Sequence, residues 1–412
     1  MHARLCLCLL ATACLAIGAD TAAAIRIARI RSHMSENLAR LPNYTCTQTI
    51  ERSVRPARSR RFRLVDTLRL EVALVDGKEL FAWPGSGKFD DREISDLIGS
   101  GASGNGNFGL HARAIFLGGG SRFDYLGEVE TEERRVFRYG FRVPQAFSGF
   151  KVKIGAAAGI AGYYGYFEAE TESLDVVSLD VLADEEIPPH VPIRRSATRM
   201  RYQRMKIGES DFLLPESSEL SIIDNNGDEA RNFVHLNGCK QYGTESVISF
   251  ADPPPATELP PAPPATAATT HQIGELPIGL SFEVELDTTL TFPGAAIGDL
   301  LEGHLASDAK KKGAVMIPRG TAIRGRLLKF GPLPARVPAI GIMLRLDEIE
   351  LPGGRAQVYG IPERILPVGV SGARLSVDNG MIIIVGGVKH QLVRGSRIWW
   401  RLEQQQQQTE KR

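Results

Sequence analysis

The sequence lacks the features that would mark it as a nucleotide-dependent enzyme, a hydrolase or a nucleic-acid-binding protein. Its 49 Lys and Arg residues are balanced by 48 Asp and Glu residues, and the net charge of +1 gives no overall attraction to nucleic acid. It has no P-loop, no Gly-x-Ser-x-Gly elbow and no His-Glu-x-x-His pair. The eight histidines are scattered, with none at metal-ligand spacing. We therefore expect no catalytic residue, no metal, no cofactor and no nucleic-acid partner.

Long hydrophobic runs are also lacking, and the one apolar run that stands out lies at the start. Beyond it, no segment reaches the roughly 18 apolar residues of a transmembrane helix. Arg4, the apolar run 5–17 and the small residues up to Ala24 predict a secretory signal peptide over residues 1–24, cleaved after Ala24 or after Ala19. A buried N-terminal helix and lipid attachment at Cys14 are the alternatives. The prediction places the protein in the bacterial periplasm or outside the cell, with association with the outer membrane left open.

Cysteine is scarce, with five residues in the chain. Cys6, Cys8 and Cys14 lie in the predicted signal peptide, so Cys46 and Cys239 remain in the exported part. A single pair in an oxidising compartment predicts a disulfide. The alternative is two unrelated buried thiols.

The sequence does contain strand-length segments in which apolar and polar residues alternate, and glycine and proline residues separate these segments. A helical spacing over 25–41 stops at Pro42, and residues 68–75 alternate before an Asp76-Gly77 hairpin turn. Short strands and turns then continue to residue 250, interrupted by two short helices and by a glycine-rich stretch that is either a lid or a plain connection. This pattern predicts a mainly β fold, with residues 25–250 forming one curved antiparallel open-barrel sheet with small helices. The two short helices are predicted at 90–98 and 110–117, and the glycine-rich stretch at 99–109.

Composition divides the rest of the chain. Residues 252–270 are almost all Pro, Ala and Thr, which predicts a stiff linker without a core over residues 251–274. Residues 275–403 again show strands and turns, and they predict a second small β-barrel or sandwich domain. The Gln-rich tail 404–412 is predicted to be disordered.

Aromatic side chains on the strands and small helices of the first domain are the candidates for ligand binding. A curved sheet crossed by helices can leave an apolar cavity, although the same residues could simply fill the core. His111, on the second short helix, is the histidine nearest to such a cavity and favours a structural role. The candidate residues are Phe81, Trp83, Phe108, Phe116, Tyr163 and Tyr166.

The first half of the chain resembles a known superfamily. The helix leading into NYTCTQTIER, the hairpin LRLEVALVDGKELFAW and the run RYQRMKIGESDFLLPESSEL are similar to the LolA, LolB and RseB-like periplasmic lipoprotein carriers. That resemblance implies an open β-barrel closed by helices, which binds acyl chains in an apolar cavity and has no catalytic residues. The second domain weakly resembles the β-barrel of TrbI-type conjugation scaffolds, through LSFEVELDTTL and GAVMIPRGTAIRGRL, and this implies an assembly role in the envelope.

Two functional hypotheses follow for an exported, non-enzymatic protein of the cell envelope. In the first, the N-terminal domain binds an apolar or lipid-like ligand, such as an acylated molecule. In the second, both domains are interaction modules of an envelope scaffold that binds other envelope proteins. A third class, an enzyme, has no visible nucleophile, metal or cofactor constellation to support it.

Overall fold

The structure is a computed structural model of the chain. It describes residues 3–75, 78–86, 89, 111–130, 134–242, 276–292, 294–333, 336–366, 373–386 and 390–404. The chain divides into two compact units, Met1–Gly243 and Thr244–Arg412. The short helix predicted at 90–98, the glycine-rich stretch, the linker and nearly all of the tail lie outside the described residues.

Helix α1, Ala3–Arg40, begins the first unit. The helical spacing predicted from residue 25 is therefore present, but the helix starts 22 residues earlier and continues unbroken from the predicted signal segment. It ends two residues before Pro42, which cannot continue a helix, and Arg40 in its last turn complements the helix dipole. Within the described residues, no helix combines the length and apolarity needed to cross a membrane.

Twelve strands follow in the first unit, and ten of them form one antiparallel sheet. The sheet order is β3-β2-β1-β12-β11-β10-β9-β8-β5-β4, so the first and last strands of the unit, β1 and β12, lie side by side. β6 and β7 form a separate two-stranded ribbon. The strands are β1 Tyr44–Arg55, β2 Arg63–Val75, β3 Lys78–Ala82, β4 Arg122–Glu130, β5 Arg135–Val143, β6 Lys151–Ile154, β7 Ala157–Ile160, β8 Tyr163–Glu170, β9 Val176–Ala183, β10 Ile193–Ile207, β11 Ser210–Asp224 and β12 Glu229–Gln241.

The hairpins of this sheet form where the turn signals predict them. Val75 and Lys78 pair across the predicted Asp76-Gly77 turn. The Asn-Asn-Gly signal connects β11 to β12, with Gly227 at a φ of 88° that favours glycine. The predicted curved antiparallel sheet is confirmed. The second short helix is confirmed in a different form, because most of it, Arg113–Leu117, is a π-helical turn.

In the second unit, the secondary structure of the described residues consists of β-strands and turns. Its main sheet contains the order β18-β15-β13-β24-β20-β19, and β18 also pairs with β19, so these six strands close into a ring. Of the two predicted architectures, the barrel is therefore present and the sandwich is not. The strands are β13 Ser281–Leu286, β14 Leu290–Phe292, β15 Leu300–Leu305, β16 Ala309–Lys311, β17 Ala314–Ile317, β18 Ala322–Pro332, β19 Ala339–Leu351, β20 Gly354–Leu366, β21 Ala373–Asp378, β22 Met381–Gly386, β23 His390–Leu392 and β24 Arg397–Leu402.

Inward-facing side chains fill this barrel. Along β24, Ile398, Trp400 and Leu402 are buried and alternate with Arg397, Trp399 and Arg401. Trp400 is fully buried in the hydrophobic core, whereas the ring of Trp399 lies on the other face beneath the Arg364 guanidinium, 3.7 Å from its centroid. The period-two rule of a strand thus separates two adjacent tryptophans into one core residue and one surface residue.

Candidate ligand-binding site

Helix α1 covers one face of the ten-stranded sheet, which we call the inner face. Along β8, Tyr163, Phe167 and Ala169 point to this face and are buried, whereas Tyr164, Tyr166 and Glu168 point to the opposite, outer face and are partly exposed. The Tyr139 hydroxyl on β5 donates to the Ala23 carbonyl of α1 at 3.1 Å. The alternation along β8 therefore decides which aromatic residues can meet the helix.

Apolar residues of α1 face the sheet, and polar residues hold the helix along its sides. Ile30 is fully buried and Met34 is nearly so. The Arg31 Nε donates to the Phe116 carbonyl at 2.9 Å. The Asn37 amide donates to the Leu213 carbonyl at 3.0 Å and accepts from the Leu213 N–H at 2.9 Å, as another strand would. Side-chain hydrogen bonds thus fix both the position and the rotation of the helix on the inner face.

A charged cluster adds to this attachment. The His33 Nε2 of α1 lies 2.8 Å from Asp175 Oδ1, and Asp175 also accepts from the Arg204 Nε at 2.6 Å. Hydrogen bonding to Asp175 raises the pKa of Arg204, so the guanidinium stays charged. The cluster ties the helix to the segment that enters β9 and to β10. No sequence motif pointed to it, because its members are separated by up to 171 residues.

Aromatic rings form much of the inner face. Phe116, from the π-helical turn, packs edge-to-face on Phe167 with centroids 5.0 Å apart. Phe167 is in turn stacked with Tyr139, at 5.5 Å and an interplanar angle of 9°. Such pairs contribute about 0.5–1.5 kcal/mol each beyond burial alone. Aromatic rings therefore line the surface between α1 and the sheet.

Polar atoms without partners interrupt this apolar lining. His111 is buried, with its ring 4.9 Å from Phe150 and 5.5 Å from Tyr163. Both ring nitrogens of His111 and the hydroxyl of Tyr163 have no hydrogen-bond partner within the described part of the chain. Burial lowers the pKa of His111 to about 4 and raises the pKa of Tyr163 to about 12, so both groups are neutral at pH 7. An unpaired buried polar group costs about 1–3 kcal/mol, and such groups are uncommon in native proteins.

The outer face carries a different kind of surface. A groove of about 660 Å³ runs over it and includes Tyr166 in its lining. Its charges are largely paired, since Arg199 Nε lies 2.7 Å from Asp180 and Arg231 Nε lies 3.2 Å from Glu219. Because paired charges on an exposed surface attract a ligand weakly, we regard the inner face as the candidate site.

Comparison with known proteins gives a distant structural similarity. No protein-family model and no curated protein matches the chain. A domain described as an outer membrane lipoprotein-sorting protein, from Vibrio parahaemolyticus, is similar with 12% identity and a TM-score of 0.28, over 52% of this chain and 94% of its own. A LolA superfamily protein from Nitrosomonas europaea is similar with 8% identity and a TM-score of 0.25, over 52% of this chain and 93% of its own.

The second of these structures is named as a protein of the LolA superfamily, to which the sequence analysis likened the first half of the chain. At these TM-scores the similarity carries no argument about a ligand. The resemblance of the second domain to TrbI-type scaffolds stays a prediction.

The structure brings together two of the six aromatic residues that the sequence singled out. Phe116 and Tyr163 both lie on the inner face and are buried. Phe81 is buried on the edge strand β3, seven strands away from β8 in the sheet order, and Trp83 follows it half-buried. Phe108 lies outside the described residues.

Tyr166 requires a correction, because it lies on the outer face. It is three residues after Tyr163 on one strand, and an odd separation places two residues of a regular strand on opposite faces. The sequence interpretation missed Tyr139, and it placed His111 near the expected cavity without its contact to Tyr163. Tyr139 was one of many aromatic strand residues, and His111 could not be linked to Tyr163 before the fold was known.

Proposed function

We propose that the N-terminal unit is a non-enzymatic carrier that holds an apolar or acylated ligand between helix α1 and the inner face of the sheet. The observation that carries this proposal is the set of unpaired polar atoms on His111 and Tyr163 at the edge of an otherwise aromatic surface. A neutral imidazole offers one donor and one acceptor, and a phenol offers a donor. Together with the aromatic rings, these groups suit an acyl chain that ends in a carboxyl or ester group.

Helix α1 is the part that has to move for a ligand to enter. Its apolar contacts on the inner face are the ones that an acyl chain would replace, and its attachment through Asn37 and the His33–Asp175 contact can be broken without unfolding the sheet. Local opening of this kind occurs in elements that are held by weaker interactions than those within the core. The ligand would therefore exchange with the buried face of α1.

Two further parts of the proposal concern location. The disulfide between Cys46 and Cys239 suits an oxidising compartment, and the first 24 residues have the composition of a signal peptide. We therefore propose that the protein is exported to the periplasm or beyond. Association with the outer membrane belongs to the same proposal.

Tyr163→Phe tests the proposed site, with Tyr166→Phe as a matched control on the same strand. The full chain is delipidated and titrated with a 16-carbon fatty acid, and bound ligand is counted by native mass spectrometry. Wild-type protein should bind one acyl chain, and Tyr163→Phe should weaken binding about fivefold through the loss of one hydrogen bond. Tyr166→Phe should bind as the wild type does.

Failure of the delipidated protein to take up any fatty acid would remove the carrier proposal. Equal effects of the two tyrosine substitutions on binding would indicate that the ligand does not bind at the inner face. Asn37→Ala should speed ligand exchange because α1 is held less firmly, while Ser32→Ala, which removes an exposed contact to Glu36 on the same helix, should leave it unchanged.

The scaffold hypothesis retains one specific observation in its favour. Strand β4 ends the sheet, and Tyr125 and Leu126 on it are 41% and 57% exposed. An edge strand with exposed apolar side chains can pair with a strand from a partner protein. Photo-crosslinking from position 126 in cells should capture an envelope protein if this strand is an interaction site. The absence of any crosslinked product would count against the scaffold hypothesis.

A further inference from the structure

A small β-hairpin of the second unit carries a surface that neither the carrier nor the scaffold hypothesis explains. Among the strands that the structure describes, β16 and β17 form a two-stranded sheet of their own, outside the barrel sheet. Their register joins Lys311 to Ala314 across a two-residue turn of Lys312 and Gly313. Every residue from 310 to 316 is exposed. The hairpin therefore presents its tip and both of its sides to the solvent.

The exposed residues of this hairpin fall into two chemical classes. Lys310, Lys311 and Lys312 are consecutive, and the apolar residues Val315 and Met316 follow directly, 51% and 37% exposed. Lys311 Nζ donates to the Ile278 carbonyl at 3.3 Å, which places Ile278, a residue that is 61% exposed, next to Lys311. The register pairs Lys310 with Val315 on one face of the hairpin and Lys311 with Ala314 on the other. Cations and exposed apolar side chains are thus distributed over both faces and around the tip of this segment, which we call the lysine hairpin.

Little on the hairpin neutralises this charge. Lys310 Nζ lies 3.9 Å from Asp308 Oδ2, at the limit of an ion pair. Asp308 also accepts from the backbone N–H of Arg319 at 2.9 Å. A long, exposed pair of this kind is worth little. The lysine hairpin therefore keeps most of its positive charge available to a partner.

The turn itself shows that lysine is held at the tip against its backbone preference. Lys312 has a φ of 51° and Gly313 a φ of 84°, the positive values of a type I′ turn. Asn or Asp is favoured at the first of these positions, whereas the left-handed conformation costs most other residues roughly 1–2 kcal/mol. Asn-Gly at this turn would give a more stable hairpin than Lys-Gly. We therefore infer that the lysine is present for its charge.

We propose that the lysine hairpin docks the second unit onto an anionic phospholipid surface. The three lysines complement the negative headgroups, and each contributes about 1 kcal/mol, or a factor of about five in affinity, near such a surface. Val315, Met316 and Ile278 then enter the boundary between headgroups and acyl chains. Neither the charge nor the small apolar area would suffice alone, and the hairpin combines both.

Vesicle flotation of the full chain tests this proposal. Vesicles of phosphatidylcholine with one quarter phosphatidylglycerol should carry the protein to the top of the gradient, and the fraction bound should fall with added salt. Replacing Lys310, Lys311 and Lys312 with serine should weaken partitioning by about two orders of magnitude. Replacing Val315 and Met316 with serine should weaken it about tenfold and leave the salt dependence in place.

A charge-matched variant provides the control. Lys329, Arg355 and Arg394 are exposed residues of the same unit away from the hairpin. Replacing these three with serine removes the same charge and should leave partitioning within about twofold of the wild type. All chains carry the same N-terminal segment, so a difference in partitioning between the hairpin and control variants does not come from that segment.

Three outcomes would overturn the proposal. Equal partitioning of the hairpin and control variants would show that overall charge, or another part of the chain, binds the vesicles. Hairpin-dependent binding of an RNA oligonucleotide without binding of vesicles would assign the surface to nucleic acid. Loss of a dimer in sedimentation of the Val315 and Met316 variant, again without vesicle binding, would assign it to a second copy of the chain. Each result leaves the fatty-acid titration of the first unit unaffected.

Discussion

Cys46 on β1 and Cys239 on β12 form a disulfide between the first and last strands of the unit in chain order, which are neighbours in the sheet, with Cα atoms 4.1 Å apart. The pairing of the two strands shifts register between Thr45 and Thr47. Gly238, next to Cys239, takes the positive φ of 60° that such an irregularity requires. The bulge and the disulfide therefore lie together, and they hold the two ends of the unit against each other.

Reduction of this disulfide should lower the free energy of unfolding of the first unit by about 2–5 kcal/mol. The loop that it closes spans a sequence separation of 193, and the chain-entropy argument assigns long loops the larger values. Urea denaturation followed by circular dichroism, with and without reductant, measures the change. The Cys46→Ala, Cys239→Ala double variant should be insensitive to reductant, and an unchanged midpoint in the reduced wild type would contradict the prediction.

His111 should make the first unit less stable as the pH falls from about 6.5 towards about 4. In the unfolded chain its imidazole takes up a proton near pH 6.5, but burial lowers the pKa to about 4 in the folded chain. The unfolded state therefore holds more protons within this window, so the free energy of unfolding decreases with falling pH, by about 3 kcal/mol in total. Above pH 7, His111 should make no contribution to the pH dependence of the free energy of unfolding.

His111→Phe provides the comparison for that prediction. The substitution keeps an aromatic ring beside Phe150 and Tyr163 and removes the titrating group. Unfolding of both proteins is followed in urea at several pH values between 4 and 8. Parallel curves for wild type and variant would show that His111 does not titrate as described.

Breaking the Arg52–Asp66 pair should destabilise the first unit more than removing it altogether. Arg52 Nε donates to Asp66 Oδ1 at 2.7 Å, and the two side chains are 8% and 12% exposed. Asp66→Leu leaves a buried guanidinium without its carboxylate, which costs about 3–5 kcal/mol, whereas replacing both ends with apolar residues is often neutral. Urea denaturation of Asp66→Leu and of Arg52→Met with Asp66→Leu should give the double variant the higher midpoint.

Trp400 and Trp399 should respond in opposite ways to truncation. Trp400 is fully buried in the barrel core, so Trp400→Ala should cost about 3–5 kcal/mol in the stability of the second unit. Trp399 is half-buried beneath Arg364, and Trp399→Ala should cost about 1 kcal/mol or less. Thermal unfolding of the two variants measures the difference. Similar losses for both would mean that the strand does not alternate as described.

Much of the fold could be predicted because its signals are local. Alternation, hairpin turns and prolines are properties of a few neighbouring residues, and the alternating segment predicted at 68–75 lies within β2 Arg63–Val75. The separation of Trp399 from Trp400 needed only the two-residue period of a strand. The same rule, applied to β8, would have separated Tyr163 from Tyr166 before the structure was known.

The candidate site could be predicted only in part, because it depends on contacts between distant segments. The His33–Asp175–Arg204 cluster joins a helix to two separate strand segments, and no periodicity links their positions in the sequence. His111 draws its low pKa from burial, which depends on everything packed around it. A lone histidine on a short helix gives no sign of either.

The sequence by itself determined that this protein would be rich in strands, because the alternation of apolar and polar side chains depends only on neighbouring residues. It also left one cysteine pair beyond the apolar start, and those two residues form the disulfide. Only the tertiary structure decided which face helix α1 covers and that β18 pairs with β19 to close the barrel. These outcomes depend on the free energy of long-range packing, in which many alternative pairings satisfy the same local pattern.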